Sequence, residues 1–554
     1  MNNGTKVLNL KKLLIYVDWK LLLFLLLFLN VKLAVKIPAI VLIYLLQFDF
    51  KFGFRLKNSR LPLFYPLIIG IGIIGFIINS NYFNINYNIV FATGIGFWVI
   101  CILAIHQVKL SVERNNTEVI HNTIVVFFII NAVASLLNLA YIVWVTHAIN
   151  PYTYQGEYQK YFVSTGDFIK GLTFDTSTTN AVLNAFGIIY FLSKKNAGMT
   201  LLCMAVLILT ASNFTNVFIL IILAYLFAFN STRDQKSVII VCLVFLVVFM
   251  AKISPQNNDY VINTVKTFFY KKSIISPWPG NNKIPVNLRP DSTLSPEEKR
   301  QKIAILYLDS IEKAHKAPIA HLILPPNVPA TATGRILLPK PDVNLPVYQW
   351  LKTTPPEQKQ LVDFVNVHQK ELPISGHPHW TSVPGKITGL LQTVNFFKQH
   401  PSKIIVGDGV GNFSSKLAFR ATGLKFTGGY PAKHIYINHN FLINHLDIYL
   451  NFFSKSASSH SLINSPFSVY DQLLAEYGLA GLLALFVFYI GFFAKHYVNL
   501  TYGIPLLLFV LAIFFIDYWF EQLSIMIMLE LMLFLNIKEG QGLVKNKNLR
   551  TNEN

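Results

Sequence analysis

The 554-residue chain reads as an all-α polytopic membrane protein. It is expected to have about 12 transmembrane helices, with one large, mostly helical insert between helices 9 and 10. Three observations predict this. Charged residues make up only 13% of the chain and apolar residues 53%, whereas soluble domains carry about one quarter charged. Apolar runs near or above roughly 18 residues recur along its length. Lysines and arginines gather in alternate short loops, the pattern that sets orientation in a bilayer.

The expected spans are 13–29, 31–48, 61–79, 85–108, 120–146, 178–193, 197–211, 213–229, 237–251, 470–494, 499–516 and 518–537. No small-residue cleavage site follows the first run, so it reads as an anchor. Orientation follows from the loops. One side holds Lys6, Lys11 and Lys12, then Lys51, Arg55, Lys57 and Arg60, then Lys109, Arg114, Lys194, Lys195, Arg233, Lys236 and Lys495. The tail adds Lys538, Lys545, Lys547 and Arg550 to that side, while the loops around Ser80, Ser212 and Asp517 have no cation. Both termini are therefore expected inside. Lys32 and Lys36 are the exceptions, expected to snorkel to the outer headgroups. This divides the chain into helices 1–9 (1–251), an external insert (252–469), helices 10–12 (470–537) and an internal tail (538–554). Cys101, Cys203 and Cys242 each fall inside an apolar run, which excludes a disulfide framework and makes them small buried hydrophobes.

The insert is too long for a plain loop. Ser295-Pro296-Glu297-Glu298 has the N-cap, first-turn proline and capping-box acid of a helix start. A proline-rich stretch follows, then a helix over Lys386–Gln399 stopped by Pro401, a short strand over Lys403–Val406 and a helix over Asn412–Thr422. The net charge of +20 has two sources: lysines placed by topology, and an insert with about twelve excess positive charges suited to an anionic ligand.

Several constellations carry chemistry. The stretch His434–Phe493 runs from a polar segment with His434, His439, His445 and His460 into an apolar helix, and Tyr470-Asp471-Gln472-Leu473-Leu474-Ala475-Glu476-Tyr477-Gly478 lies where they meet. Carboxylates, phenols and amides at a membrane edge persist when paired or when lining a wet cavity, so this reads as an active-site wall. A histidine there suits general-base work on a sugar hydroxyl. Gly407-Asp408-Gly409-Val410-Gly411-Asn412-Phe413 lacks the Gly-Lys-Ser/Thr ending of a nucleotide loop. It is a turn into a helix, or a phosphate cradle with Lys416 and Arg420 beside it. His377-Pro378-His379 lacks the further ligands of a zinc site, and no metal is expected. The segment Asp167–Ala181 is a solvated loop or a sugar- or diphosphate-contacting rim with Lys170 as its cation. Asp517, Glu521, Gln522 and Glu530 are functional candidates or interior hydrogen-bonding groups.

At these residues the chain resembles the O-antigen ligase and O-antigen polymerase superfamily of bacterial inner-membrane glycosyltransferases. Leu473-Leu474-Ala475-Glu476-Tyr477-Gly478-Leu479-Ala480-Gly481 is similar to the signature after that family's large external loop, and 407–413 to its Gly-x-Gly-x-Gly-Asn-Phe segment. Gly171 through Asn180 loosely matches an earlier motif. The family often has His-Asn-x-Tyr-Leu just ahead of the signature; here that segment is Phe467-Ser468-Val469-Tyr470-Asp471, so its histidine cannot be carried over by position. His460 and His445 are the nearest candidates for the base. The resemblance implies a multi-pass protein of the bacterial inner membrane with the insert in the periplasm. It implies a polyprenyl-diphosphate-linked glycan donor, a glycan or lipid acceptor, membrane lipids around it, no cofactor and no nucleic acid. Lys170, Arg289, Arg300, Arg420, Tyr470, Gln472 and Glu476 are then the substrate-binding candidates. Ligase, polymerase and protein O-glycan transferase stay open. So do a transporter or flippase for a lipid-linked glycan and a non-enzymatic protein whose insert binds a partner.

Overall fold

A computed structural model describes residues 16–253 and 384–552, apart from gaps at 31, 80, 148–149, 154–164, 175, 230, 425–429, 453–461 and 463. The described residues are helical and contain no strand. In chain order the principal helices are α1 (Trp19–Phe28), α2 (Leu33–Leu46), α3 (Phe64–Ile78), α4 (Ile85–Arg114), α5 (Thr117–Thr146), α6 (Ser177–Ser193), α7 (Ala197–Leu209), α8 (Asn213–Phe229) and α9 (Arg233–Ile253). After the insert come α10 (Gly385–Gln399), α11 (Lys416–Ala421), α12 (His439–Asn444), α13 (Leu446–Phe452), α14 (Val469–Ala494), α15 (Gly503–Ile513), α16 (Trp519–Gln522) and α17 (Ser524–Asn552).

Each expected apolar run carries a helix, and among the described residues four are long and apolar enough to cross a membrane: α4, α5, α9 and α14. Polar residues start the helices where the sequence offers them. Asp18 accepts from the backbone N–H of Lys20 and Leu21, Asn84 from Asn86 and Tyr87, and Ser468 from Asp471. Thr232 and Gln235 form a capping box on α9.

Helix α6 sits at the centre, buried at every residue from Ser177 to Leu192. Its approach to α5 and α7 depends on Gly187, where a Cβ would lie 2.6 Å from Cys203 Sγ and 2.9 Å from the Phe128 ring. The first half of α17 is equally enclosed, and its Glu530 accepts hydrogen bonds from Tyr65 and Tyr489 on neighbouring helices. The three cysteines are free and buried, as read.

Four expectations need correction. Lys36 does not reach any headgroup: it is buried, and its ammonium donates to the Phe28 carbonyl at 2.5 Å and to Ser524 Oγ at 3.1 Å. A lysine can stay inside when oxygen acceptors replace its water. The run 518–537 is not one helix, because Leu523 at φ 66° separates α16 from α17. The segment 403–406 is a turn, and the helix expected over Asn412–Thr422 begins only at Lys416. The reason is the same for both: this stretch serves another helix, as described below. The insert's helix start at Ser295, its proline-rich stretch and His377-Pro378-His379 lie outside the described residues.

Replacing Gly187 with Val should lower the thermal unfolding midpoint in detergent, with a cost of about 2 kcal/mol or more from overpacking a filled interface. Gly70→Ala, where a Cβ meets nothing within 4 Å, should leave the midpoint unchanged or raise it.

Candidate functional site

Helix α14 is broken at Gly478, whose φ of 66° and ψ of −165° no helix contains. The break leaves carbonyls at the end of one half and N–H groups at the start of the next without helical partners. The turn at 404–409 supplies them. Asp408 N donates to Ala475 O at 2.9 Å and Gly409 N to Glu476 O at 3.1 Å. In return Leu479 N donates to Ile404 O at 2.8 Å and Ala480 N to Ile405 O at 3.1 Å. This is why 403–406 is not a strand: its carbonyls face a helix end. Glycine is required on both sides. A Cβ on Gly478 would overlap the Ile405 carbonyl, and one on Gly407, itself at φ 74°, the backbone of Glu476.

The Glu476 side chain completes the joint. It is buried, with Oε2 accepting from Gly411 N at 2.8 Å and Oε1 from Phe413 N at 3.2 Å. The backbone N–H groups of the glycine-rich loop are thus taken up by the protein's own Glu476 side chain. Outside it, Asp408 is buried against Lys403 and receives Asn440 Nδ2 at 3.1 Å, while Asn412 bonds the Asp408 carbonyl at 2.8 Å and the Tyr436 hydroxyl at 3.1 Å. These bonds tie α12 to the loop.

A second polar cluster lies between α10, α13 and α14. His445 is fully buried, 3.9 Å from Asp471 Oδ2 through Nε2, and neither ring nitrogen has a hydrogen-bond partner among the described residues. Thr393 on α10 donates to the other oxygen of Asp471 at 2.7 Å. Gly389 opens room beside the pair: a Cβ there would lie 3.4 Å from His445 Cε1 and 3.5 Å from Asp471 Oδ2. The rings of Phe413, Phe419 and Phe441 stand 5.0, 6.1 and 6.3 Å from the imidazole. Loss of water lowers the His445 pKa, and Asp471 opposes that shift. Asp447 accepts from Gln392 at 3.0 Å, and burial pushes its pKa up to about 7. Lys386 donates to Ser465 Oγ at 2.9 Å and to the carbonyls of Phe467 and Ile516 at 2.5 and 3.3 Å. Desolvation brings its pKa down to about 7, against the pull of Asp517 and Asp471.

The structure distributes the sequence-predicted residues unevenly. His445 meets α14 through Asp471. Glu476 is consumed by the loop. Gln472 is buried and donates to Glu521 at 2.5 Å, and Glu521 is within electrostatic reach of Arg420 and Lys416. Tyr470 turns away and bonds the Leu511 carbonyl at 2.7 Å. Lys170 is fixed through its backbone N–H to Asn138 at 3.1 Å, near a buried network of Asn131, Ser135 and Asn180. His460, Arg289 and Arg300 lie outside the described residues. Sequence reasoning missed Lys386, Thr393 and Asp447. Lys386, Gly389 and Thr393 fall on one face of α10, and Asp447 interrupts an apolar run; either was a readable signal.

Neither a family model, nor a characterised protein, nor a solved structure matches the chain.

Two outcomes test this geometry. Glu476→Gln should destabilise the detergent-solubilised protein by about 1–3 kcal/mol, since an amide offers one acceptor oxygen to two buried N–H donors. Asp447 has a folded pKa above its ordinary value of 3.8, so its contribution to stability is lost as pH rises from about 4 through about 7. Asp447→Asn should flatten that part of the pH–stability profile measured by thermal unfolding.

Proposed function

We propose that this protein is a glycosyltransferase of the O-antigen ligase or polymerase type. It would move a glycan from a polyprenyl-diphosphate carrier to an acceptor hydroxyl at the outer face of a bacterial inner membrane. On this reading the chain spans the membrane about twelve times with both termini inside, and residues 252–469 face the periplasm. The observation that carries the reading is the interlock itself. The two stretches that resemble family signatures, more than sixty residues apart, are physically one unit around Glu476.

Charge supports it. The cap from 384 to 452 has two acids, Asp408 and Asp447, and both are buried, whereas Lys398 and Lys433 are exposed and Lys403, Lys416 and Arg420 half-exposed. Such a surface suits a diphosphate leaving group. In the reaction, His445 takes the acceptor hydroxyl's proton and that oxygen bonds the anomeric carbon. The bond from this carbon to the diphosphate breaks, and the electron pair leaves on the carrier. Asp471 is the positioning residue that stabilises the imidazolium. The aromatic rings over His445 must move for an acceptor to reach it.

A broken helix also suits a carrier for lipid-linked glycans. Carriers of that kind pair their breaks in two related halves. The other break described, at Leu523, lies in the same group of helices after the insert rather than in a related first half.

A deletion strain should lose surface polysaccharide and accumulate lipid-linked repeat units, unpolymerised for a polymerase or polymerised but unattached for a ligase. Normal polysaccharide would remove the proposal. With purified protein and lipid-linked donor, His445→Ala should lower turnover about 10²–10⁴-fold while membrane insertion is kept. Asp471→Asn should move the acid limb of the pH–rate profile to lower pH, because the carboxylate that favours protonated His445 is gone. Arg420→Gln should raise KM for the donor.

A further inference from the structure

At the opposite end of α4 from the cap's interlock, residues 47–60 join α2 to α3 as an irregular strap whose sequence alternates from Phe48 to Lys57. Phe48, Phe50, Phe52, Phe54 and Leu56 occupy the even positions, and Asp49, Lys51, Arg55 and Lys57 the odd ones. Gly53, at φ 68°, bends the strap, so its apolar groups do not all share one side: Phe52 and Phe54 are half-buried, while Phe48, Phe50 and Leu56 face outward among the exposed cations. The rings form a row, with centroids 5.0 Å apart for Phe48 and Phe50 and 6.2 Å for each following pair.

The strap is held in place. Asp49 pairs with Arg114 at 3.4 Å and Arg60 with Glu113 at 2.5 Å, both at the end of α4, and Phe52 lies 4.6 Å from His106. Because α4 is long and apolar enough to cross a membrane, its charged end marks the water boundary, and the strap lies at that level. These ion pairs also use up the local acids. The side chains of Lys51, Arg55 and Lys57 are exposed and make no ion pair or hydrogen bond among the described residues. Among the apolar residues, Phe48 is 78% exposed, Phe50 54% and Leu56 92%. Large apolar groups facing outward beside uncompensated cations are the two halves of an anionic membrane surface site.

We propose that residues 47–60 form a preformed binding strap for anionic phospholipid: Phe48, Phe50 and Leu56 enter the acyl region, and Lys51, Arg55 and Lys57 hold the phosphate headgroups. The strap does not depend on the transferase reading. The fixed row of rings orders the site before lipid arrives, so little conformational freedom is lost on binding.

The test uses the full chain with Phe50→p-benzoylphenylalanine in nanodiscs of equal phosphatidylglycerol and phosphatidylcholine. Irradiation should give lipid adducts enriched at least about fivefold in phosphatidylglycerol, roughly the effect of one basic residue near an anionic surface. Replacing Lys51, Arg55 and Lys57 by Gln, which disturbs none of the pairs that hold the strap, should return the adducts to the bulk lipid ratio. Adducts at the bulk ratio in the unsubstituted strap would overturn the proposal, as would crosslinks confined to protein. If the crosslinker variant fails to fold, phosphatidylglycerol retained by the otherwise unaltered protein through detergent purification is compared with that of the triple Gln variant by native mass spectrometry. Equal retention would overturn the proposal equally.

Discussion

Glu476 and the two backbone N–H groups that receive it fix the relation between the cap and the helical bundle. A carboxylate inside an apolar helix has few acceptable surroundings. Here it receives donors from Gly411 and Phe413, and the loop that brings them also repairs the helix broken at Gly478. Each side satisfies groups that the other leaves open. Position follows from this for much else: Asp408 with Lys403 and Asn440, Tyr436 on Asn412, and α11 carrying Arg420 and Lys416 toward Glu521.

Behind that joint, α10 presents a polar line to an interior of aromatic rings. Thr393, Asp471 and His445 form one chain, Gln392 and Asp447 another, and Lys386 ends the line against two carbonyls. A buried imidazole with both nitrogens open is costly unless something uses it. It lies beside Asp471 in the first turn of α14.

Helix positions were largely legible, because twelve apolar runs leave little choice of where helices form. What hydropathy does not encode is backbone φ, so the interruptions at Gly478 and Leu523 were invisible in it. The glycines of 407–411 were readable as a turn, but not as a cradle for Glu476, since their partner lies far along the chain. Lys36 was misjudged for a related reason: snorkelling assumes a path to water, and Phe28 and Ser524 close that path. Spacing alone did not separate His445 from the other histidines of the polar stretch; of the three that are described, His434, His439 and His445, it is His445 that lies beside Asp471.

The reciprocal glycine contacts make the turn at 404–413 and the helix from 469 to 481 a single heritable module. A chimera that grafts the cap of one such protein onto the bundle of another, joined at the apparent domain boundary near residue 469, would cut through it. Neither parent's half would find its complementary carbonyls and N–H groups. A crossover that leaves the joint whole would have to fall before the turn or after the second half-helix, so that cap and helix travel together.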